Sequence, residues 1–228
     1  MLVLAIDTAL GACAAAILDT ADDRMLASES LPMTRGHAEA LMPLLSRLMK
    51  TAGLAFRHLD RVAVTSGPGS FTGLRVGIAA ARGLALAIGK PAVGISTLGA
   101  YAAPYIDADK TVAVVVAIDA RHQHVYLHVF GPGGQSLASP RLAALDEAVR
   151  AASAASAKIV VGTAAPAIAE RLVRVEASSL LVDASEAPDI AWVARMGAAV
   201  PDSAAPPKPD YLRAPDAQPQ NAAQLPRR

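Results

Sequence analysis

Cysteine is almost absent from this 228-residue chain, and the single residue, Cys13, excludes an internal disulfide and zinc sites built on cysteine pairs. Its apolar neighbours predict that Cys13 is a small core side chain. The N-terminus has no basic residue before Asp7, so we expect no secretory signal and a cytoplasmic protein. Arg75 and Arg82 interrupt the longest apolar run, and no membrane span is therefore predicted.

Aromatic residues and charge of one sign are scarce too. Aromatics make up 4% of the chain, which leaves few rings for stacking single-stranded bases. The net charge is +1 and no run of lysine and arginine exceeds two residues, which argues against an RNA-binding surface of its own. The 53% of hydrophobic residues can fill one large core or two small ones. Any role in RNA metabolism is therefore expected to act through a partner.

A glycine-rich loop and the apolar helix after it form the segment around which the sequence is organised. A strand is predicted over residues 62–65 and a helix over residues 74–88, which ends at Gly89, Lys90 and Pro91. A strand, a glycine turn and a helix can direct backbone N–H groups towards an anion. We call the loop between them the signature loop, and it consists of Ser66, Gly67, Pro68, Gly69, Ser70, Phe71, Thr72 and Gly73.

The signature loop matches none of three known nucleotide or nucleophile motifs. Its glycines are one residue too far apart for the dinucleotide fingerprint. The P-loop requires Gly-Lys followed by serine or threonine, whereas Lys90 is followed by proline and lies at the wrong end of the helix. Ser70 has a proline where the nucleophile elbow has its first glycine, so we expect no catalytic role for Ser70.

The helix predicted over residues 74–88 is apolar around most of its circumference. One face alone carries charge, and it holds Arg75, Ala79, Arg82 and Leu86. A helix of this kind is expected to be buried on nearly all sides. Two interpretations stay open, a central helix in a single core and a helix shared with a partner subunit.

A second amphipathic helix is predicted over residues 38–51. Its apolar stripe comprises Leu41, Leu44, Leu45, Leu48 and Met49. Pro43 lies beyond the first turn and predicts a kink or a late helix start. His37 precedes the helix, and we interpret it as a local hydrogen-bonding residue rather than a catalytic base.

Four short segments together resemble the TsaB family. They are Ala-Ile-Asp-Thr at 5–8, Arg-Gly-His-Ala-Glu at 35–39, the signature loop with Leu74 and Arg75, and Pro-Asp-Tyr-Leu-Arg at 209–213. The resemblance covers residues 1 to about 216. The family is the dimerisation subunit of the bacterial machinery that makes threonylcarbamoyladenosine in tRNA. The resemblance implies an α/β fold of the two-lobed actin/hexokinase-like (ASKHA) type, with mixed sheets flanked by helices.

The remaining elements divide between two predicted lobes and a tail. The N-terminal lobe is predicted to span residues 1–106 and the C-terminal lobe residues 107–200. Residues 201–228 form a proline-rich tail, which we expect to be anchored at Tyr211 and Leu212 and disordered beyond residue 216. Further strands are predicted at 2–8, 11–18, 25–31, 92–95, 111–118, 124–130 and 158–161. Further helices are predicted at 97–105, 142–153, 165–172 and from Pro188 onward.

The bend after the first strand is expected to be a degenerate phosphate loop made of Asp7, Thr8 and Gly11. In actin/hexokinase-type domains an acid, a glycine and a hydroxyl residue at this bend hold metal and phosphate. Here Ala9 and Leu10 precede Gly11, so the acid is kept and the flanking hydroxyl is lost. We therefore predict no nucleotide and no other cofactor.

Candidate metal ligands are few. The catalytic paralogue of the TsaB family carries His-x-x-x-His at the start of a helix, and the resemblance aligns those positions with Ser96 and Ala100. Neither side chain can replace an imidazole. His122, His124 and His128 lie along one strand without an obvious fourth ligand, so a metal site there is disfavoured as well. No metal site is predicted.

The resemblance implies a non-catalytic scaffold that pairs with the catalytic paralogue TsaD. The pairing is expected to use side chains of the two helices, namely Leu41, Leu44, Leu45, Leu48, Leu74, Arg75, Ile78 and Arg82. A small P-loop ATPase, TsaE, is implied as a third component, and tRNA is reached only through the complex. Alone, the chain is expected to form a homodimer through the same face.

Two enzyme classes are weighed against the scaffold. A small-molecule kinase or ATPase of the actin/hexokinase type needs a competent phosphate loop and a second acid as base, for which Asp119 is the candidate. A peptidase needs a catalytic triad, and Ser70 has no recognisable place in one. Both classes are less favoured than the scaffold.

Overall fold

In the computed structural model, which describes residues 1–173 and 180–213, the chain folds into two five-stranded sheets. The strands of the first sheet are β1 (Leu2–Asp7), β2 (Ala12–Asp19), β3 (Arg24–Pro32), β4 (Arg61–Gly67) and β5 (Ala92–Ser96). Those of the second are β6 (Val114–Asp119), β7 (His124–Phe130), β8 (Ser136–Ala144), β9 (Ile159–Val161) and β10 (Leu181–Asp183). The helices are α1 (His37–Ala52), α2 (Phe71–Ile88), α3 (Thr97–Ala108), α4 (Leu145–Ala154), α5 (Ala165–Val173) and α6 (Ile190–Ala199).

The two sheets share one topology. The first has the strand order β3-β2-β1-β4-β5, and the second has the equivalent order β8-β7-β6-β9-β10. In each sheet the first three strands pair antiparallel and the last two add in parallel, with α2 and α5 as the final crossovers. Parallel neighbours require such crossovers, because a tight turn cannot join them. The predicted α/β fold with two mixed sheets flanked by helices is confirmed, and its halves repeat one plan.

Strand β1 lies at the centre of the first sheet and is covered on both sides. Leu4 and Ile6 belong to the cluster that α1 and α2 pack against. Val3 and Ala5 point the other way, because successive side chains in a strand alternate, and they pack against α6. A strand buried on both faces reads as a continuous apolar run, which is the pattern that the sequence shows here.

Helix α6 corrects the predicted lobe boundaries. It was assigned to the C-terminal lobe, but Ile190, Val193 and Ala194 pack on the first sheet. A side chain at Gly197 would collide with Ala63 Cβ, so this glycine permits the close approach of α6 to β4. The boundary predicted at residue 106 also falls inside α3, which packs against β6 of the second sheet.

Several predicted elements differ from the observed ones. The helix predicted at 142–153 begins at Leu145, because residues 142–144 end strand β8, which was not predicted. Strand β10 was missed, and β6 begins at Val114 rather than at residue 111. Helix α1 begins at His37 and continues through Pro43, so the late start is wrong. The predicted disorder beyond residue 216 lies outside the described residues.

Helix α2 has the length and composition of a membrane-spanning segment. Its 18 residues have a mean hydropathy of 1.4, although Arg75 and Arg82 were expected to rule this out. The core helix of a soluble protein passes the same test, which makes it weak evidence for a membrane. Leu74, Ile78 and Ala81 pack in the first core, and 33% of the segment is buried in the protein.

Candidate functional site

The signature loop lies between β4 and α2 and begins the central helix. The Ser70 hydroxyl accepts a hydrogen bond from Gly73 N–H at 3.3 Å, which makes Ser70 the N-cap of α2. Ser66 donates its hydroxyl to the Ile95 carbonyl at 3.3 Å in the neighbouring strand. Both serines therefore have hydrogen-bond partners within the fold.

The glycines of the signature loop allow two other segments to approach its backbone. A Cβ at Gly69 would lie 2.5 Å from the Ala9 carbonyl oxygen, and one at Gly73 would collide with the Thr8 carbonyl. Gly67, at φ 127°, would bring a Cβ within 2.5 Å of the Asp210 carbonyl. The loop is thus a packing junction between the β1–β2 bend and the end of the described chain.

The acid of the degenerate phosphate loop is fully buried. Asp7 Oδ1 accepts hydrogen bonds from the Thr65 hydroxyl at 2.6 Å and from Ala9 N–H at 2.9 Å. Its Oδ2 has no hydrogen-bond partner among the described residues. Burial raises the pKa of Asp7 above its ordinary value, and these hydrogen bonds and the nearby His37 oppose that shift less strongly.

The backbone donors of this bend are occupied by the protein itself. Ala9 N–H binds Asp7, and Gly11 N–H donates to the Glu186 carbonyl at 3.1 Å. A Cβ at Gly11 would lie 2.8 Å from Glu186 Cβ, so the segment before α6 covers this side of the bend. A phosphate held by backbone N–H groups would have to displace these bonds.

A C-terminal strap, residues 209–213, crosses from one lobe to the other. Asp210 N–H donates to the Ser66 carbonyl at 2.7 Å, and the Tyr211 ring lies 5.2 Å from the Phe71 ring. Leu212 packs in the cluster that contains β6, and Arg213 Nη1 donates to the Ala120 carbonyl at 2.8 Å. The predicted anchoring by Tyr211 and Leu212 is confirmed.

The strap forms one wall of a cavity of about 370 Å³ between the lobes. The other walls come from the signature loop and from the turn between β6 and β7, including Asp119 and Arg121. Arg121, His122 and Gln123 all have positive φ, an unusual conformation for three consecutive residues other than glycine. Asp119 is exposed at this cavity, but its Oδ1 is bound by Arg121 N–H at 3.0 Å.

The hydrogen bonds of the described histidine side chains go to separate groups and not to one another. His37 lies 3.1 Å from the Leu10 carbonyl through Nε2, so it is a hydrogen-bonding residue as predicted, although its partner is 27 residues earlier in the chain and not local. His128 is buried against Phe130 and lies 2.8 Å from the Ser136 hydroxyl, whereas His124 is exposed. Within residues 1–173 and 180–213, no three His, Cys, Asp or Glu side chains are grouped so that they could hold a metal ion.

The predicted partner-interface residues divide into core and surface. Leu41, Leu44, Leu45, Leu48, Leu74 and Ile78 are all at most 5% exposed and pack beneath the helices on the first sheet. The prediction that these six side chains face a partner is wrong, because the chain's own sheet covers the apolar stripes. Arg75 and Arg82 are exposed, on the opposite side of α2.

The exposed side of α2 forms a surface that we call the outer face, consisting of Arg75, Ala79, Arg82, Gly83 and Leu86. Leu86 is 84% exposed, and Met42 on the neighbouring α1 is 50% exposed. A Cβ built at Gly83 meets no atom within 4 Å in the described part of the chain, so no contact there requires glycine. The sequence had already marked Gly83 as a small residue that would let another helix approach closely, whereas the exposure of Met42 was not predicted.

Ser96 and Ala100 both contribute to the fold around helix α3. Ser96 is the N-cap of α3 and accepts from Gly99 N–H at 3.2 Å. Ala100 is fully buried in the cluster between α3, α6 and the first sheet. An imidazole at position 100 would have to displace that core, and the two residues present offer no metal ligand.

Comparisons with known proteins relate the chain to proteins of tRNA threonylcarbamoyladenosine biosynthesis. Residues 30–169 match the family model described as "TsaD: tRNA N6-adenosine threonylcarbamoyltransferase". The tRNA threonylcarbamoyladenosine biosynthesis protein TsaB of Escherichia coli (strain K12) is 38% identical over 126 residues, which are 55% of this chain and 53% of that protein. The chain thus matches about half the length of its curated relatives.

Solved structures extend the match to almost the whole chain. A Pseudomonas aeruginosa crystal structure, described as an uncharacterized protein with similarity to peptidase YEAZ, has a TM-score of 0.74 and 29% identity, covering 93% of this chain and 99% of that one. A ROK family glucokinase from Streptomyces griseus shares the fold at a TM-score of 0.50 and 10% identity, covering 87% of this chain and 99% of that one. By its sequence motifs, its family match and its structural neighbours, the chain belongs to the TsaB family, within the wider family of tRNA N6-adenosine threonylcarbamoyltransferases.

Proposed function

We propose that this chain is a non-catalytic subunit of the complex that makes threonylcarbamoyladenosine in tRNA. The proposal rests on the pair Ser96 and Ala100, which the family resemblance aligns with the two metal-binding histidines of the catalytic paralogue. Ser96 caps α3 and Ala100 is fully buried, so both serve the fold of this chain. A subunit that keeps the family fold without those ligands is suited to support a catalytic partner.

In the proposed complex a TsaD-type paralogue carries the chemistry. It would transfer a threonylcarbamoyl group from its adenylate to N6 of the adenosine beside the tRNA anticodon. This chain would order and position that partner and would meet tRNA only through the complex, as its net charge of +1 suggests. The complex would work in the cytoplasm.

The outer face of α2 and the neighbouring part of α1 form the proposed partner surface. Leu86 and Met42 expose apolar area that a partner could bury. Gly83 supports close approach of a partner helix, since glycine in a helix interior costs about 0.5–1 kcal/mol and no contact with residues 1–173 or 180–213 explains it. We further propose that the chain self-pairs through this surface when alone and that a TsaE-type ATPase docks on the heterocomplex.

Reconstituted transfer tests the proposal. Purified catalytic paralogue and ATPase, tRNA and threonylcarbamoyl-adenylate should form the modified nucleoside only when this chain is added, with the product measured by mass spectrometry. This chain with tRNA and the adenylate alone should form none. Transfer by this chain alone would refute the non-catalytic role, and full activity without it would refute the scaffold role.

A mutation on the proposed surface makes the test specific. Leu86→Asp places a charge at an exposed position, so the melting temperature of the isolated chain should not change. In the complex that charge would be buried unpaired, so the variant should no longer bind the paralogue. Arg57→Gln, at another exposed position, is the matched control and should bind normally. Normal binding by folded Leu86→Asp would place the interface elsewhere.

The alternative of a small-molecule kinase or ATPase has one observation in its favour. The interlobe cavity is lined by Asp119, which could act as a base on a bound hydroxyl. Against it, Ala9 N–H and Gly11 N–H are already bound within the chain. ATP turnover by the purified chain that is lost in Asp119→Asn would establish this alternative.

The peptidase alternative has less support. The Ser70 hydroxyl accepts from Gly73 N–H as the cap of α2, and the hydrogen bonds of the described histidines go to other groups. A serine nucleophile needs a histidine within hydrogen-bond reach.

A further inference from the structure

Arg75 is an exposed side chain of α2 whose guanidinium is held in place from two sides. Its central carbon lies 3.7 Å from the centroid of the Phe71 ring. Its Nε donates to the Tyr211 hydroxyl at 3.0 Å, and the two rings are themselves 5.2 Å apart. Tyr211 belongs to the C-terminal strap, 136 residues later in the chain. The strap therefore orders an arginine on the outer face before any partner binds.

The free end of this guanidinium is suited to a carboxylate. Among residues 1–173 and 180–213, neither terminal nitrogen of Arg75 makes an ion pair or hydrogen bond. These nitrogens carry the parallel N–H donors that bind both oxygens of a carboxylate at once. An arginine that is already ordered loses less rotamer freedom on binding than a free one.

The charges of the surrounding surface favour an acidic occupant. Helix α2 contains no acidic residue, and Arg82 lies on the same outer face as Arg75. On α1, Lys50 is exposed and makes no ion pair with the described residues. Glu39, the one acidic residue of α1, is likewise exposed and without an ion pair among them. The self-pairing proposed for the chain alone would leave the excess positive charge of both copies unneutralised, so the heterocomplex with a carboxylate-bearing partner should be the tighter of the two.

The geometry points to Arg75 as a carboxylate-binding residue of the partner surface, with Phe71 and Tyr211 as its positioning residues. The occupant is an aspartate or glutamate side chain of the catalytic paralogue. This inference rests on the proposed function, because it requires the outer face of α2 to be the partner surface. It gives the C-terminal strap a role in recognition through Arg75.

Titration calorimetry with the full-length chain and the catalytic paralogue tests the inference. At about 0.05 M salt, Arg75→Gln should raise the dissociation constant by about tenfold or more, and this loss should shrink at about 0.3 M salt. Tyr211→Phe keeps the ring and removes the hydroxyl, and it should cost about threefold. Arg57→Gln should bind within about twofold of the wild type.

The double variant Arg75→Gln/Tyr211→Phe distinguishes positioning from an independent contact. If Tyr211 acts through Arg75, the double variant binds no more weakly than Arg75→Gln alone. Additive losses would overturn the positioning role. Thermal melting of each variant, expected to match the wild type, shows that the effects belong to the interface.

Three other outcomes would overturn the inference. Unchanged binding by Arg75→Gln, while Leu86→Asp loses the paralogue, would leave the proposed function intact and remove the carboxylate site. Equal weakening of self-association and heterocomplex by Arg75→Gln, measured by sedimentation, would make the occupant a second copy. No association between the wild-type chain and the paralogue would refute the inference and the proposed function together.

Discussion

Arg61, in strand β4, donates a hydrogen bond from Nη1 to the Gly197 carbonyl at 2.8 Å, at the far end of helix α6. The same nitrogen also reaches the carbonyls of Ala198 and Val200, and Nη2 pairs with Asp202. Arg61 is 4% exposed, so one buried guanidinium donates hydrogen bonds to the carbonyl groups at the C-terminal end of α6. This helix follows the second sheet in the chain but packs on the first. This contact holds the end of α6 against strand β4 of the first lobe.

Arg61→Met should destabilise the protein strongly. It removes the side-chain donor shared by three carbonyl oxygens at the end of α6, of which Gly197 keeps only a 3.4 Å bond from Val200 N–H. The loss should cost about 2–4 kcal/mol in the free energy of unfolding. Urea unfolding followed by circular dichroism measures the loss. Arg57→Met, at an exposed position four residues earlier, should change stability by less than about 0.5 kcal/mol. A similar stability for both variants would show that the α6 contact contributes little.

Gly83→Ala should separate folding from partner binding. Because a Cβ meets no atom within 4 Å, alanine should stabilise the isolated chain by about 0.5–1 kcal/mol. In the proposed complex the added methyl group would obstruct a closely packed helix and raise the dissociation constant about tenfold. Melting curves and titration calorimetry measure the two effects. Arg150→Ala, at an exposed position of α4 in the second lobe, should leave binding unchanged. Unaltered binding by Gly83→Ala would argue against close helix packing.

Asp7→Asn should raise stability at neutral pH. Burial raises the folded pKa of Asp7 above 3.8, so the folded state holds this proton more tightly than the unfolded state. The contribution of Asp7 to stability therefore falls as the pH rises from about 3.8 through the folded pKa, and it stays low above it. Asparagine keeps an acceptor for Thr65 and Ala9 without a charge, and should add about 1 kcal/mol at pH 7.

Urea unfolding at several pH values measures this effect. Asp107→Asn, at an exposed position, should leave the pH profile unchanged. A lower stability of Asp7→Asn at neutral pH would mean that the carboxylate is ionised in the folded protein and stabilised by its surroundings.

His128 should make the second lobe sensitive to acid. Burial lowers the pKa of His128 below 6.5, and its Nδ1 has no partner among the described residues. Below about pH 6.5 the unfolded state therefore binds a proton that the folded state resists, and stability falls until the folded pKa is passed. His128→Gln should flatten the unfolding free energy in this pH range. His122→Asn, at an exposed turn position, should retain the wild-type profile.

Much of the fold was predictable because its signals are local. The apolar run of β1, the caps of α2 at Ser70 and Gly89 and the alternating pattern of β7 all depend on neighbouring residues. The predicted strands and helices of the first lobe agree with the observed ones to within a few residues. Strand β8 was missed because its segment is only partly buried and carries no clear alternation.

The site was harder to predict, because exposure depends on what lies beneath a helix. Leu74 and Ile78 form an apolar stripe that suits a partner as well as a sheet, and the stripe alone does not distinguish them. The first sheet covers that stripe, which leaves the less apolar outer face with Gly83 and Leu86 for a partner. The predicted pairing through α1 and α2 stays a prediction, now assigned to their exposed sides.

The sequence by itself indicated the family, because its four short motifs depend on residue identity. The mixed sheets, and the comparison of Ser96 and Ala100 with a histidine pair, were implied by the resemblance to that family. Only the tertiary structure decided which helix face is free, where α6 packs and how Tyr211 orders Arg75. The last two features join residues more than a hundred positions apart. Such contacts are selected by the packing of the whole core, and no local pattern in the chain encodes them.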